Sequence, residues 1–247
     1  MPAEHLIETR AQVYANRLTE LNAESYRLVG YCVGGFLAME TAKVLLERGC
    51  RVEPVVTISS HLCLHSIENR MLLECAYGVI LGADVHRAGY RGDADKIRSA
   101  LENILKGENR NVEDRELCAL SGEFAELGEA FTALAGLSHE ERMRRIYEAI
   151  ETPDFNGTES TISMLNILYR IFEHTYKAMI HYKPDFFTGD LIALLPDEEL
   201  LTSYPAMIPD TDWEEFVLGD LKKHVIHGNH ITCIEDDRIE QIMPFLL

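Results

Sequence analysis

The chain contains little positive charge. Lys and Arg number 23 against 41 Asp and Glu, which gives a formal net charge of −18. A surface of this sign repels phosphate backbones and anionic lipid, so we expect neither nucleic acid nor membrane as a partner. Apolar runs of the roughly 20 residues that a spanning helix needs are also absent from the sequence. Residues 1–5 lack the basic and apolar regions of a signal peptide, and we expect a cytoplasmic protein.

Closely spaced cysteine pairs are missing as well. The six cysteines are scattered without C-x-x-C spacing, which predicts reduced thiols rather than a disulfide framework. His61, Cys63 and His65 alternate in the manner of ligands on one side of a strand. Structural zinc usually needs four ligands and the sequence offers no obvious fourth, so we expect no metal.

Apolar spacing predicts an α/β fold with one sizeable core, without internal repeats. Strand, helix and strand over residues 26–58 imply a right-handed parallel crossover. Between residues 66 and 180 helical spacing dominates and strand signals are nearly absent, which predicts a helical insertion. Its charged run 140–145 is predicted to be a solvated helix face, or alternatively a local basic patch. The predicted strands are 26–31, 52–58, 190–195 and 222–226, and the predicted helices beside them are 4–21, 36–47 and 234–246, the last interrupted by Pro244.

The segment Gly30-Tyr31-Cys32-Val33-Gly34 joins a predicted strand directly to a predicted helix. This is the layout of a nucleophile elbow with cysteine in place of serine. Glycines 30 and 34 are expected because a Cβ at either position would collide with the neighbouring strand or helix. Cys32 is therefore predicted to be a nucleophile, with the N–H of Val33 stabilising an oxyanion. The alternatives are a buried cysteine in a glycine-rich turn and a fragment of a dinucleotide loop.

Four pieces in order resemble the thioesterase domains that end nonribosomal peptide and polyketide synthetase lines: residues 26–35, residues 182–190, Trp213, and Gly228-Asn229-His230. The resemblance implies an α/β-hydrolase fold, with a mostly parallel sheet and a large helical lid. Residues 1–247 would form one domain, with its core at 1–65 and 181–247 and its lid at 66–180. The domain would bind no cofactor. Its substrate would arrive on the phosphopantetheine arm of an acyl or peptidyl carrier protein, and upstream synthetase modules would be partners.

The catalytic base and acid follow from chain order. His230 lies in a glycine-containing loop after a late strand and is preferred as the base over His227, which is predicted to pack or to be solvated. Asp197 follows the strand at 190–195 and is the candidate acid, with a solvated turn aspartate as the alternative reading. A cysteine needs this third member less than a serine does. The helix N-terminus and the imidazole are expected to lower the pKa of Cys32, so that it labels before the other cysteines at about pH 6–7.

The sequence departs from the family in three respects. Cysteine replaces the usual serine at position 32. The family usually has an aspartate just after the strand at 52–58, where this chain has Ser59 and Ser60; His61, close to this position, is an alternative lining residue of an acyl channel. The chain also begins late relative to the family, which predicts an N-terminally incomplete domain whose strand at 26–31 is an exposed edge. Self-association and weak turnover are the expected consequences.

These features together predict a thioesterase. It would release an acyl or peptidyl chain through an acyl-Cys32 intermediate, by hydrolysis or by cyclisation. The alternatives within the same fold are a stand-alone editing thioesterase and a cysteine-dependent esterase. A non-catalytic acyl-binding or interaction module, which belongs to another class of protein, is the alternative that the absence of the family's aspartate after the strand at 52–58 suggests.

Overall fold

A computed structural model describes residues 3–62, 67–91, 94–150, 159–198 and 213–246. The chain divides into two compact units. One contains residues 1–62, 177–200 and 208–247, and the other contains residues 63–176 and 201–207. We call them the sheet unit and the helical unit. Within the described ranges, no helix is both long and apolar enough to cross a membrane.

A four-stranded parallel sheet organises the sheet unit. Its strands are β1 (Val29–Tyr31), β2 (Val55–Ile58), β3 (Leu191–Pro196) and β4 (Leu221–Ile226), and they are ordered β1-β2-β3-β4 across the sheet. The register pairs Gly30 with Thr57, and Thr57 with Ala193. All four predicted strands are confirmed, with bounds within three residues of the prediction. Because the strands are parallel, their carboxyl ends meet at one edge, where the loops after β1, β2, β3 and β4 come together.

Two helices of the sheet unit pack against each other, α1 (Leu6–Glu20) and α2 (Val33–Glu47). Most of α2 is buried, which agrees with its apolar composition. On this helix Phe36 is stacked against Trp213, with ring centroids 5.6 Å apart, in the main core cluster. The Glu40 carboxylate accepts a hydrogen bond of 2.7 Å from the hydroxyl of Tyr182. These contacts fix α2, and therefore the turn at its beginning, against the rest of the unit.

The described residues of the helical unit form helices and loops, with one isolated antiparallel bridge between Ala83 and Ile150. The predicted helical character of this region is confirmed for those residues, whereas its role as a lid stays a prediction. The helices that follow β2 are α3 (Arg70–Ile80), α4 (Val85–Ala88), α5 (Ala94–Leu105), α6 (Asp114–Cys118), α7 (Ala125–Ala135), α8 (His139–Glu148) and α9 (Glu159–His181), the last of which ends in the sheet unit.

Two expectations about helices need correction. The predicted terminal helix 234–246 is instead a pair of 3₁₀ turns, Thr232–Ile234 and Ile239–Gln241, followed by the short helix α10 (Met243–Leu246). The charged run 140–145 lies in α8 but is not wholly solvated. Arg142 is buried and donates to the fully buried carboxylate of Glu74, at 2.5 and 3.0 Å. Burying either charge alone would be costly, so each requires the other.

Candidate active site

Cys32 occupies the turn between β1 and α2 in a backbone conformation that residues other than glycine rarely adopt. Its φ is 56° and its ψ is −129°, and it is the residue that immediately precedes α2. Its backbone N–H donates to the carbonyl of Ile58 at 3.0 Å, and its carbonyl accepts from Gly35. A non-glycine residue in this region stores backbone strain that only a well-determined surrounding structure can hold. The strained turn places Cys32 at the carboxyl edge of the sheet and at the N-terminus of α2.

The glycines around Cys32 have different roles. A Cβ on Gly30 would lie 1.9 Å from the carbonyl oxygen of Gly34, so the turn requires glycine at position 30. A Cβ on Gly34 would meet nothing within 4 Å, and this residue lines a cavity of about 340 Å³. The expectation that Gly34 is needed for space is therefore wrong. Gly35 is the second tight position, because a Cβ there would lie 2.0 Å from the Oγ of Ser60.

His230 lies in the loop after β4 and is held by two neighbours. Its Nδ1 is 2.7 Å from the Oγ of Ser59, which directly follows β2. The ring of Tyr31 stacks on the imidazole, with centroids 4.9 Å apart and planes at 21°. The hydroxyl of Tyr31 also donates to the backbone carbonyl of His230. With Nδ1 engaged by Ser59, Nε2 is the ring nitrogen without such a partner, and among the hydrogen bonds of the described residues none joins His230 to Cys32.

The structure brings Asp197 to His227 rather than to His230. One carboxylate oxygen of Asp197 is 2.7 Å from Nδ1 of His227, and the other accepts from the N–H of Gly228 at 2.9 Å. The hydrogen bond with His227 is the main cause of the lowered pKa of Asp197. The His227 side chain is 85% exposed. The predicted Asp197–His230 pair is therefore not formed, and the Asp197–His227 pair lies at the solvent-facing side of the same loop edge.

Burial controls the protonation of the two predicted reactive groups. It raises the pKa of the Cys32 thiol, and a hydrogen bond from the N–H of Val33 acts in the opposite direction. Burial also lowers the pKa of His230 to about 4, with a smaller contribution from His61, whereas a hydrogen bond with the Ser59 backbone raises it. A neutral thiol and a neutral imidazole are consequently the resting forms near neutral pH. This is the opposite of the lowered thiol pKa that the sequence predicted, so preferential labelling of Cys32 at rest no longer follows.

No group of three or more potential metal ligands occurs in the part of the chain that the structure describes. Of the three residues considered as ligands, Cys63 and His65 lie outside the described residues. His61 is described, and its effect on the pKa of His230 shows that the two imidazoles are close enough to interact. A positive charge on either ring therefore opposes a positive charge on the other.

Comparisons with known sequences point to one kind of enzyme. A family model for the thioesterase domain matches residues 1–70. The pyochelin synthetase PchF of Pseudomonas aeruginosa PAO1 is 27% identical over 238 residues, which cover 95% of this chain and 12% of that protein. PchF of strain UCBPP-PA14 is 28% identical over 236 residues, with the same two coverages. This chain thus spans about 12% of the length of the curated relatives that it matches.

Solved structures share the fold at low sequence identity. A four-domain nonribosomal peptide synthetase, holo-AB3403 bound to AMP and glycine, superimposes with a TM-score of 0.57 at 15% identity, covering 97% of this chain and 15% of that chain. The Vlm2 thioesterase domain bound with a dodecadepsipeptide gives a TM-score of 0.53 at 12% identity, covering 96% and 73%. The chain has the α/β-hydrolase fold. The family match and this fold together support a hydrolase that acts on thioester bonds.

Proposed function

We propose that this chain is the thioesterase domain of a nonribosomal peptide or polyketide synthetase. It would accept an acyl or peptidyl chain from the phosphopantetheine thioester of a carrier protein and release it through an acyl-Cys32 intermediate. The observation that carries the proposal is the strained turn at Cys32, which stands between β1 and the N-terminus of α2. The similarity to PchF and to holo-AB3403, both synthetases by name, supports the carrier protein and the upstream modules as partners.

Acylation begins with the thiol of Cys32 and the imidazole of His230 both neutral. His230 Nε2 takes the thiol proton as the sulfur of Cys32 attacks the thioester carbon. The N–H of Val33, which already bonds to the sulfur, and the N-terminus of α2 stabilise the negative oxygen of the tetrahedral intermediate. When the intermediate collapses, the C–S bond to the carrier breaks and the proton on His230 passes to the departing thiolate. One thioester replaces another, so this step is close to energetically neutral.

Deacylation repeats the same steps with a second nucleophile. Water gives a free acid, and a hydroxyl or amine within the bound chain gives a ring. His230 takes the proton from the nucleophile and returns it to the sulfur of Cys32, which restores the resting pair. Because the intermediate is a thioester, it keeps more of its reactivity toward that nucleophile than an oxygen ester on serine would.

Incubation with an acyl N-acetylcysteamine thioester tests the proposal directly. Intact-mass analysis should show one added acyl group on the wild-type chain, and peptide mapping should place it on Cys32. Cys32→Ala should show neither the added mass nor release of N-acetylcysteamine, whereas Cys50→Ala is the matched control and should behave as wild type. Thiol release by Cys32→Ala at the wild-type rate would contradict the nucleophile. Binding of the thioester without release of its thiol would indicate an acyl-binding module instead.

A further inference from the structure

The backbone at Ser59 is held between β3 and the turn that carries Cys32. Ser59 is fully buried and has a φ of 48°. Its N–H donates to the carbonyl of Leu194 on β3 at 2.9 Å, and the carbonyl of the preceding Ile58 accepts from the N–H of Cys32 at 3.0 Å. The position of its hydroxyl is therefore tied to that of the nucleophile turn.

The hydroxyl of Ser59 lies at hydrogen-bond distance from Nδ1 of His230, the nitrogen to which the aspartate of a catalytic triad would bond. Its Oγ is 2.7 Å from Nδ1. Among the hydrogen bonds of the described residues, no carboxylate is bonded to His230, and the one expected there, Asp197, is held by His227 and Gly228. The side chain that meets Nδ1 is therefore a hydroxyl, which acts on the imidazole together with the stacked ring of Tyr31 and a hydrogen bond with the Ser59 backbone.

We propose that Ser59 is a positioning residue of the reaction, whose hydroxyl accepts a hydrogen bond from Nδ1–H of His230 and so leaves Nε2 free to take the proton of Cys32. This inference rests on the proposed function for the identity of the nucleophile. A hydroxyl orients the imidazole but adds no negative charge to stabilise the imidazolium form. Sulfur tolerates this weaker support because a thiol is more acidic than a hydroxyl and gives up its proton more easily.

The strained backbone at Ser59 supports a role beyond filling space. Serine pays a conformational cost at positive φ that glycine does not, and such strain tends to occur where a side chain has a function. If the residue were only structural, replacing it with glycine would be harmless or favourable. If its hydroxyl orients His230, the same replacement should relieve the backbone and still impair the reaction.

The test compares Ser59→Gly and Ser59→Ala with Ser60→Ala in the full chain. Ser60 is the matched control, because it is a neighbouring buried serine whose hydroxyl bonds to the carbonyl of Ile58 and not to His230. Acylation by an acyl N-acetylcysteamine thioester should be about tenfold slower in both Ser59 variants, as expected for the loss of one net hydrogen bond, and near wild type in Ser60→Ala. The urea midpoint of Ser59→Gly should stay close to that of the wild type.

A second readout does not depend on activity. Nitrogen-15 NMR of the histidines should show His230 with its proton on Nδ1 in the wild type and in Ser60→Ala, and a mixture of the two tautomers in the Ser59 variants. Unchanged tautomers together with an unchanged acylation rate would overturn the role of Ser59. A wild-type chain that shows the Nδ1–H tautomer but never acquires an acyl group would leave His230 positioned by Ser59 and would refute the thioesterase proposal instead.

Discussion

Sulfur in place of oxygen at position 32 changes what the neighbouring histidine has to do. Cys32 is neutral at rest because burial raises its pKa, and His230 is neutral because burial lowers its own. The base is therefore weak, and the described structure gives it a hydroxyl rather than a carboxylate at Nδ1. A thiol can be deprotonated by such a base during attack, whereas an alcohol is a far weaker acid.

The first residue-scale prediction concerns the nucleophile itself. Cys32→Ser should fold with wild-type stability but acylate at least about 100-fold more slowly, since a weak base without a carboxylate activates a hydroxyl poorly. Cys32→Ala should be inactive. Burst kinetics of N-acetylcysteamine release, with urea unfolding as the control for folding, measure both effects. A serine variant as active as the wild type would contradict the idea that the site is adapted to sulfur.

The second residue-scale prediction concerns the pH at which His230 titrates. Only the neutral imidazole can accept the thiol proton, and its pKa is lowered to about 4. The acid limb of the acylation rate should thus have its midpoint near pH 4 instead of near the ordinary histidine value of about 6.5. Rapid-mixing measurements, with circular dichroism to verify folding at each pH, would establish this. A midpoint close to 6.5 would show that His230 is more solvated, or better supported by charge, than in the structure.

At the scale of elements, the β1–α2 turn depends on specific glycines. Gly30→Ala should destabilise the chain by about 3 kcal/mol or more, because its Cβ would overlap the backbone of Gly34, which has no side-chain freedom with which to move away. Gly34→Ala adds the same atom where nothing lies within 4 Å. This matched variant should change stability by less than about 1 kcal/mol. Urea denaturation of the two proteins would be compared, and equal losses in both would contradict the geometry of the turn.

The elements themselves could largely be predicted from the sequence. Strand-like runs before Cys32 and between 52 and 58 are local signals, and all four strands form close to where periodicity placed them. The predicted terminal helix 234–246 did not form because residues 235–242 close short turns three residues apart, and the side chain of Gln241 exchanges hydrogen bonds with the backbone of His227. Such side-chain competition with the helix is poorly represented in apolar spacing.

The site could be predicted only in part. The glycine spacing around Cys32 indicated the turn, but the need for Gly35 depends on Ser60, a residue from another strand end. The pairing of Ser59 with His230 spans 171 positions of the chain, and no local pattern encodes a contact of that range. A serine where the resemblance implies an aspartate was the one available signal. The direction of the pKa of Cys32 was missed because burial, which dominates it, is a property of the folded chain.

At the scale of the whole molecule, a site built from buried neutral groups makes the free energy of unfolding depend on pH. His230 has a pKa of about 4 when folded and an ordinary value of 6.5 when unfolded. Between these two values the unfolded chain binds a proton that the folded chain does not. The contribution of neutral, buried His230 to the stability of the fold is therefore complete above about pH 6.5 and is lost as the pH falls toward 4. The difference corresponds to about 3 kcal/mol of unfolding free energy.

The final prediction isolates this contribution from the many carboxylates of the chain. His230→Asn removes the titrating group but keeps an amide that can donate to Ser59. The free energy of unfolding, measured in urea at about pH 7.5, 5.5 and 4.5, should fall with acid in both proteins, because the other titrating groups are common to both. The wild type should fall by about 2 kcal/mol more than the variant over this range. Parallel curves would mean that His230 is not buried in its neutral form, and the neutral thiol–imidazole pair on which the proposed acylation begins would have to be abandoned.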